Sequence, residues 1–126
     1  MTYKTDMARV KGLGTAKEGT HEWWIGRLTS VALIPLTLGF LWRVAPLIGG
    51  THAEVLAAFQ SPFTAITTIL FIMIAFVHLA GGLQEVIVDY VHGKALLVVL
   101  LVSTRLTCLG MGFAGAFAVA KIAFGG

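Results

Sequence analysis

Apolar residues run along this chain in three long stretches, at about 24–48, 63–91 and 95–124, interrupted mainly by single polar residues and separated by short polar breaks. Each stretch is at least as long as the ~20 residues a helix needs to cross a ~30 Å hydrocarbon core. Lipid offers no partner to an unpaired backbone group, so segments of this kind are helices. The pattern predicts an all-α integral membrane protein with a single domain over 1–126 and three transmembrane helices. Residues 1–22 form a polar, Gly-rich cytoplasmic tail, expected to be extended or loosely ordered, and the aromatic pair Trp23 and Trp24 marks where the first helix enters the membrane.

Composition agrees and excludes a soluble domain: 57% of the residues are hydrophobic and 12% are charged. The positive charges are unevenly placed. Lys4, Arg9, Lys11 and Lys17 precede the first stretch and Lys94 lies in the second break, against Arg43 at the edge of the first loop and Lys121 near the carboxyl end. Short cytoplasmic segments carry the excess of Lys and Arg, so the amino end is expected inside and the carboxyl end in the periplasm. The net charge of +3 reflects this asymmetry and gives no reason to expect nucleic-acid binding. No short apolar h-region precedes the first span, so the amino end is expected to stay attached. The one cysteine, Cys108, can form neither an intrachain disulfide nor a cysteine-ligated cluster. Any redox chemistry needs another cofactor.

Smaller features have local readings. "GTAKEGTH" has two glycines at phosphate-loop separation but lacks the Lys and Ser/Thr after the second, so a P-loop is discarded. Pro35 is expected to kink the first helix as a packing feature. The first loop has room for a surface helix over 53–59, with His52 a solvated loop residue. In the third stretch Gly110, Ala114 and Ala118 fall four apart, as do Gly112, Ala116 and Ala120, the spacing of a close helix-packing face.

The chemistry concentrates in "HLAGGLQEVIVDYVHG", residues 78–93. His78 falls ~15 residues, or ~22 Å, into the second span. Ionisable side chains at membrane depth are costly and face protein, a cavity or a cofactor. Helical rotation puts residues 78, 82, 85 and 89 on one stripe, with His78 and Asp89 ~20° and ~16 Å apart. His78, Gly82, Glu85 and Asp89 thus make one polar face. Gly81 and Gly82 cost a helix about 1 kcal/mol each in soluble hosts, which points to close approach of another helix or of a flat macrocycle. Taken by itself, His78 is equally a hydrogen-bonding link between helices, and Asp89 and Tyr90 are an interfacial acid and belt residue.

This segment resembles the second-helix signature of the smaller membrane-anchor subunits of succinate dehydrogenase, respiratory complex II: a histidine, a glycine one turn on, and Asp-Tyr eleven and twelve positions later. "HEWWIGRLTSVAL" is similar to the first-helix entrance of that family. The resemblance implies that His78 supplies one axial ligand to heme b, within a heme-binding bundle shared with a second anchor subunit that supplies the other. It implies that Tyr90 hydrogen-bonds a ubiquinone carbonyl, with Asp89 as its acidic neighbour. His21, Arg27 and Gly82 would belong to the heme environment, Arg27 as a partner for a propionate. The implied partners are a flavoprotein, an iron–sulfur protein and the second anchor in a bacterial inner membrane, passing electrons from succinate to quinone. Such a chain would not itself oxidise succinate.

Arg105 has no counterpart in that pattern. A guanidinium at membrane depth needs a partner, and Glu85, a propionate or the inner interface are the alternatives. His92 and Lys94 read as interfacial. Two other functions fit the composition: a transporter or ion-path subunit using Glu85, Asp89 and Arg105, which would spread polar residues through the span depth, and a heme-free structural anchor.

Overall fold

The structure is a computed structural model that describes residues 15–125, with side chains from residue 20 onward. The expectations for the tail before residue 15 lie outside the described residues. Three long helices dominate: α1 (Thr15–Val44), α3 (Pro62–Tyr90) and α4 (Lys94–Ala123), with the short surface helix α2 (His52–Phe59) between the first two. Among the described residues there is no strand. All three long helices are apolar enough and long enough to span a membrane.

The first helix starts well before the expected entrance at Trp24, so residues 15–22 are helical rather than extended. Ala16, Lys17 and Glu18 are good helix formers, and a helix already nucleated by a membrane span propagates into them at little cost. The helix also runs on through Pro35. A 3₁₀ turn at Ala45–Leu47 closes α1, and Gly49 then reverses the chain with φ of 81°. Thr51 and Glu54 cap α2 reciprocally: the Thr51 hydroxyl accepts from the Glu54 amide at 3.3 Å, and the Glu54 carboxylate accepts from the Thr51 amide at 2.8 Å. His52 is the first residue of that helix and is exposed.

Helix α3 is the middle of the bundle, packed against both α1 and α4. Little of the molecule is buried. Trp42 and Phe117 are 80% and 70% exposed, as expected where lipid or another subunit, not this chain, covers the apolar faces. The buried residues gather from the middle of the bundle to one end: Thr64, Ala65 and Thr68 in α3, with Cys108, Gly112 and Val119 in α4. Only one of the two small-residue rows faces the packing interface at its glycine. A methyl on Gly112 would stand 3.4 Å from Phe76 Cβ, and one on Gly115 3.1 Å from Ile72 Cγ2, whereas Gly110, Ala114 and Ala118 are exposed.

Polar groups lock the closed end. Arg43 donates from Nε to Thr64 Oγ1 at 3.0 Å and from Nη2 to Ser61 Oγ at 3.3 Å, and its guanidinium lies 5.2 Å from the Phe63 ring centroid. Phe40 stacks on Phe71 at 4.5 Å between ring centroids. One turn from Thr64, the buried Thr68 hydroxyl has no hydrogen-bond partner among the described residues. The two threonines therefore differ in their expected substitutions. Thr64→Val should destabilise the protein by about 1–3 kcal/mol, because the Arg43 Nε–H loses its acceptor, whereas Thr68→Val should be neutral or stabilising. Thermal denaturation of the purified protein measures both, and equal losses would count against the Arg43 lock.

Candidate functional site

At the other end the helices part. Helices α1 and α4 flank α3 there without closing over it, and a groove of about 480 Å³ remains, lined from all three helices. The floor is α3. His78, Gly81, Gly82 and Glu85 line it, so three members of the predicted polar stripe share the groove. Beside His78 the backbone is bare: a methyl built on Gly81 or on Gly82 would meet no heavy atom within 4 Å among the described residues, apart from the helix's own neighbouring backbone and residues. Among the described residues, none outside the helix itself comes close enough to require glycine at either position, so the space beside them is open.

The histidine is held from α1. His78 Nδ1 is 3.0 Å from Thr29 Oγ1, and that hydroxyl also lies 2.7 Å from the Ile25 carbonyl oxygen and 3.0 Å from that of Gly26. The contact joins α1 to α3 and leaves the ring exposed at the groove wall. Among the described residues, no three His, Cys, Asp or Glu side chains converge as a metal-binding group. The donor set is a single imidazole, which suits a group whose remaining coordination comes from elsewhere, as a heme's does.

The groove's polar rim is a three-helix network. Gln84 donates from Nε2 to both Glu22 carboxylate oxygens at 3.0 Å. Arg105 donates from Nη2 to Gln84 Oε1 at 2.9 Å and forms an ion pair with Glu22 at 3.3 Å. Among the described residues, the acidic partner of Arg105 is thus Glu22 and not Glu85. Gln84, ~100° around α3 from Glu85, is the residue that reaches both flanking helices. This network bridges α1 and α4 across the groove.

The remaining predicted site residues lie outside the groove lining. His21 is exposed on α1, and Arg27 sits with its guanidinium 5.2 Å from the Trp23 ring centroid, an arrangement suited to the headgroup region. Asp89 and Tyr90 are exposed in the last turn of α3, with Tyr90 79% exposed. A small molecule touching both Tyr90 and the groove would have to be enclosed by another subunit. Sequence reasoning missed Thr29, Gln84 and the role of Glu22. Their only sequence signal is that Glu22 and Thr29 stand seven apart, two turns along one face of α1.

A profile of the succinate dehydrogenase/fumarate reductase transmembrane subunit family matches residues 1–119. The chain is 40% identical over 93 residues to the succinate dehydrogenase hydrophobic membrane anchor subunit of Paracoccus denitrificans, covering 74% of this chain and 72% of that one. It is 33% identical over 85 residues to the succinate dehydrogenase membrane anchor subunit of Reclinomonas americana, covering 62% and 68%. The hydrophobic membrane anchor subunit of Rickettsia conorii is 24% identical over 111 residues, covering 85% and 86%. No solved structure matches the chain.

Proposed function

The chain belongs to the succinate dehydrogenase/fumarate reductase transmembrane subunit family, and from that premise we propose that it anchors a succinate:ubiquinone oxidoreductase in a bacterial inner membrane, supplying one axial ligand to heme b and part of the ubiquinone-reduction site. Its amino end faces the cytoplasm, where the basic tail residues stay. His78 is the iron ligand, and Gly81 and Gly82 leave room for the face of the macrocycle. Arg27 and His21 serve the propionate side, with Gly82 at the ring. Tyr90 donates its hydroxyl to a quinone carbonyl, and Asp89 is the acid beside it. A flavoprotein oxidises succinate to fumarate, an iron–sulfur protein passes on the two electrons, and a second anchor contributes the other heme ligand and the missing wall of the groove.

One observation carries the reading: among the described residues, the only exposed imidazole on the groove floor stands beside two glycines where an added methyl would meet nothing beyond their own helix. Heme b, when bound, would supply a one-electron store. The chain's own residues do the rest of the work. His78 orients and holds, while the Glu22–Gln84–Arg105 network spans α1 and α4 and keeps the groove from spreading. Tyr90 presents a proton at the membrane surface, where the two protons that quinone reduction consumes are available.

Affinity purification of the tagged chain from gently solubilised membranes tests this directly. The expected preparation contains a flavoprotein and an iron–sulfur protein and reduces a short-chain ubiquinone with succinate as donor. A chain that purifies without them, from membranes in which succinate oxidation is intact, contradicts the assignment.

A further inference from the structure

A hydroxyl has one proton to give and two lone pairs to offer. Thr29 Oγ1 has three polar neighbours: the Ile25 carbonyl oxygen at 2.7 Å, the Gly26 carbonyl oxygen at 3.0 Å and His78 Nδ1 at 3.0 Å. The two carbonyl oxygens can only accept. If the Thr29 proton pointed to the imidazole, the hydroxyl oxygen would face two carbonyl oxygens at those distances with no hydrogen between them. The proton therefore goes to the carbonyls of the preceding turn of α1, a common arrangement for a helical threonine. The remaining contact is a hydrogen bond only if the imidazole brings the proton.

We propose that Thr29 is a positioning residue that selects the Nδ1–H tautomer of His78 and so leaves the lone pair on Nε2, the nitrogen free to ligate iron. The inference rests on the reading of His78 as a heme ligand. A neutral imidazole carries one N–H, so a proton held on Nδ1 makes Nε2 the donor atom. A bare helix-linking histidine would be served by either tautomer; the two α1 carbonyls behind the hydroxyl admit only one. The hydroxyl also acts on the strength of the ligand. By donating to a carbonyl it becomes a better acceptor, it draws on the Nδ1–H, and it makes Nε2 a stronger electron donor, as outer partners of metal-bound histidines do. A stronger-donating ligand favours the ferric state and lowers the heme potential.

The test uses the assembled complex and two substitutions, Thr29→Val, which keeps the shape and removes the hydroxyl, and Thr29→Ser, which keeps the hydroxyl. Potentiometric titration of the heme and electron paramagnetic resonance of its ferric form are the readouts. Thr29→Val should shift the midpoint to more positive potential and move the ferric g-values, while Thr29→Ser stays with the unmutated complex. Assembly without heme in Thr29→Val but with heme in Thr29→Ser supports the same role. An unmoved potential and spectrum in a heme-loaded Thr29→Val complex overturns it, as does an equal shift, or an equal loss of heme, in both variants. His78→Ala separates this from the parent reading. Heme that survives His78→Ala defeats the ligand assignment and this inference with it, whereas heme lost there but indifferent to Thr29→Val removes only the tautomer role.

Discussion

Replacing His78 by alanine should strip heme from an otherwise assembled complex. The substitution removes the only imidazole that the groove floor presents among the described residues, and the ring's other contact, to Thr29 at 3.0 Å, holds α1 to α3 without being needed for either helix to form. Both helices owe their existence to the membrane and not to this link: a spanning apolar segment must be helical whatever its neighbours do. Loss of a single hydrogen bond between membrane helices is worth about 0.6–2 kcal/mol, too little to undo the packing of α3 against both neighbours. Heme content per flavin should nevertheless fall by at least ~10-fold, the equivalent of about 1.4 kcal/mol or more of lost affinity. Pyridine-hemochrome assay of the purified variant measures it. Unchanged heme content would leave His78 as a helix link.

Substituting Tyr90 by phenylalanine acts at a different place and on a different readout. Tyr90 is 79% exposed at the end of α3, so no packing within the chain depends on its hydroxyl and the fold should be indifferent to the change. If the hydroxyl donates to the quinone carbonyl, its bond strengthens as that oxygen gains charge, and losing a charge-assisted hydrogen bond costs about 1.5–3 kcal/mol. Succinate:ubiquinone reductase activity should therefore drop by about 10–100-fold. Succinate oxidation measured with a soluble dye acceptor should stay at the unmutated rate, since it needs only the partner subunits. Equal loss in both assays would mean damage to assembly, and no loss in either would remove Tyr90 from the quinone site.

What could be read ahead of the structure was set by the bilayer. Three apolar stretches became three long helices because hydrocarbon permits nothing else, and the polar stripe of α3 followed from helical rotation, so His78, Gly82 and Glu85 share one groove. Contacts between helices carried no such signal. Thr29 and His78 are on different helices, as are Glu22 and Arg105, and neither spacing nor composition says which residue of α3 will lie between α1 and α4. That is why Glu85, a propionate and the inner interface stood as alternatives for Arg105, while Gln84 and Glu22 are the side chains it meets among the described residues. The small-residue rows of α4 show the same limit. Two rows have the right period, and only the packed structure shows the row containing Gly112 against Phe76 while the row of Gly110 faces outward. The helical start at Thr15 was missed for the opposite reason, since a polar sequence with good helix formers needs a neighbouring span to nucleate it.

Gly81 and Gly82 tie these levels together. In sequence they are a cost to the helix, in the fold they leave the groove floor open, and in the proposed complex they are where a macrocycle lies against α3. The central claim is accordingly that this chain is one half of a heme site. Its most direct measurement is the reduced-minus-oxidised optical spectrum of the intact complex purified through this chain, taken on addition of succinate. A b-type absorption band is the predicted result. A complex that retains its flavoprotein and reduces quinone with succinate, yet shows no such band, would contradict the claim and leave the chain as a heme-free anchor.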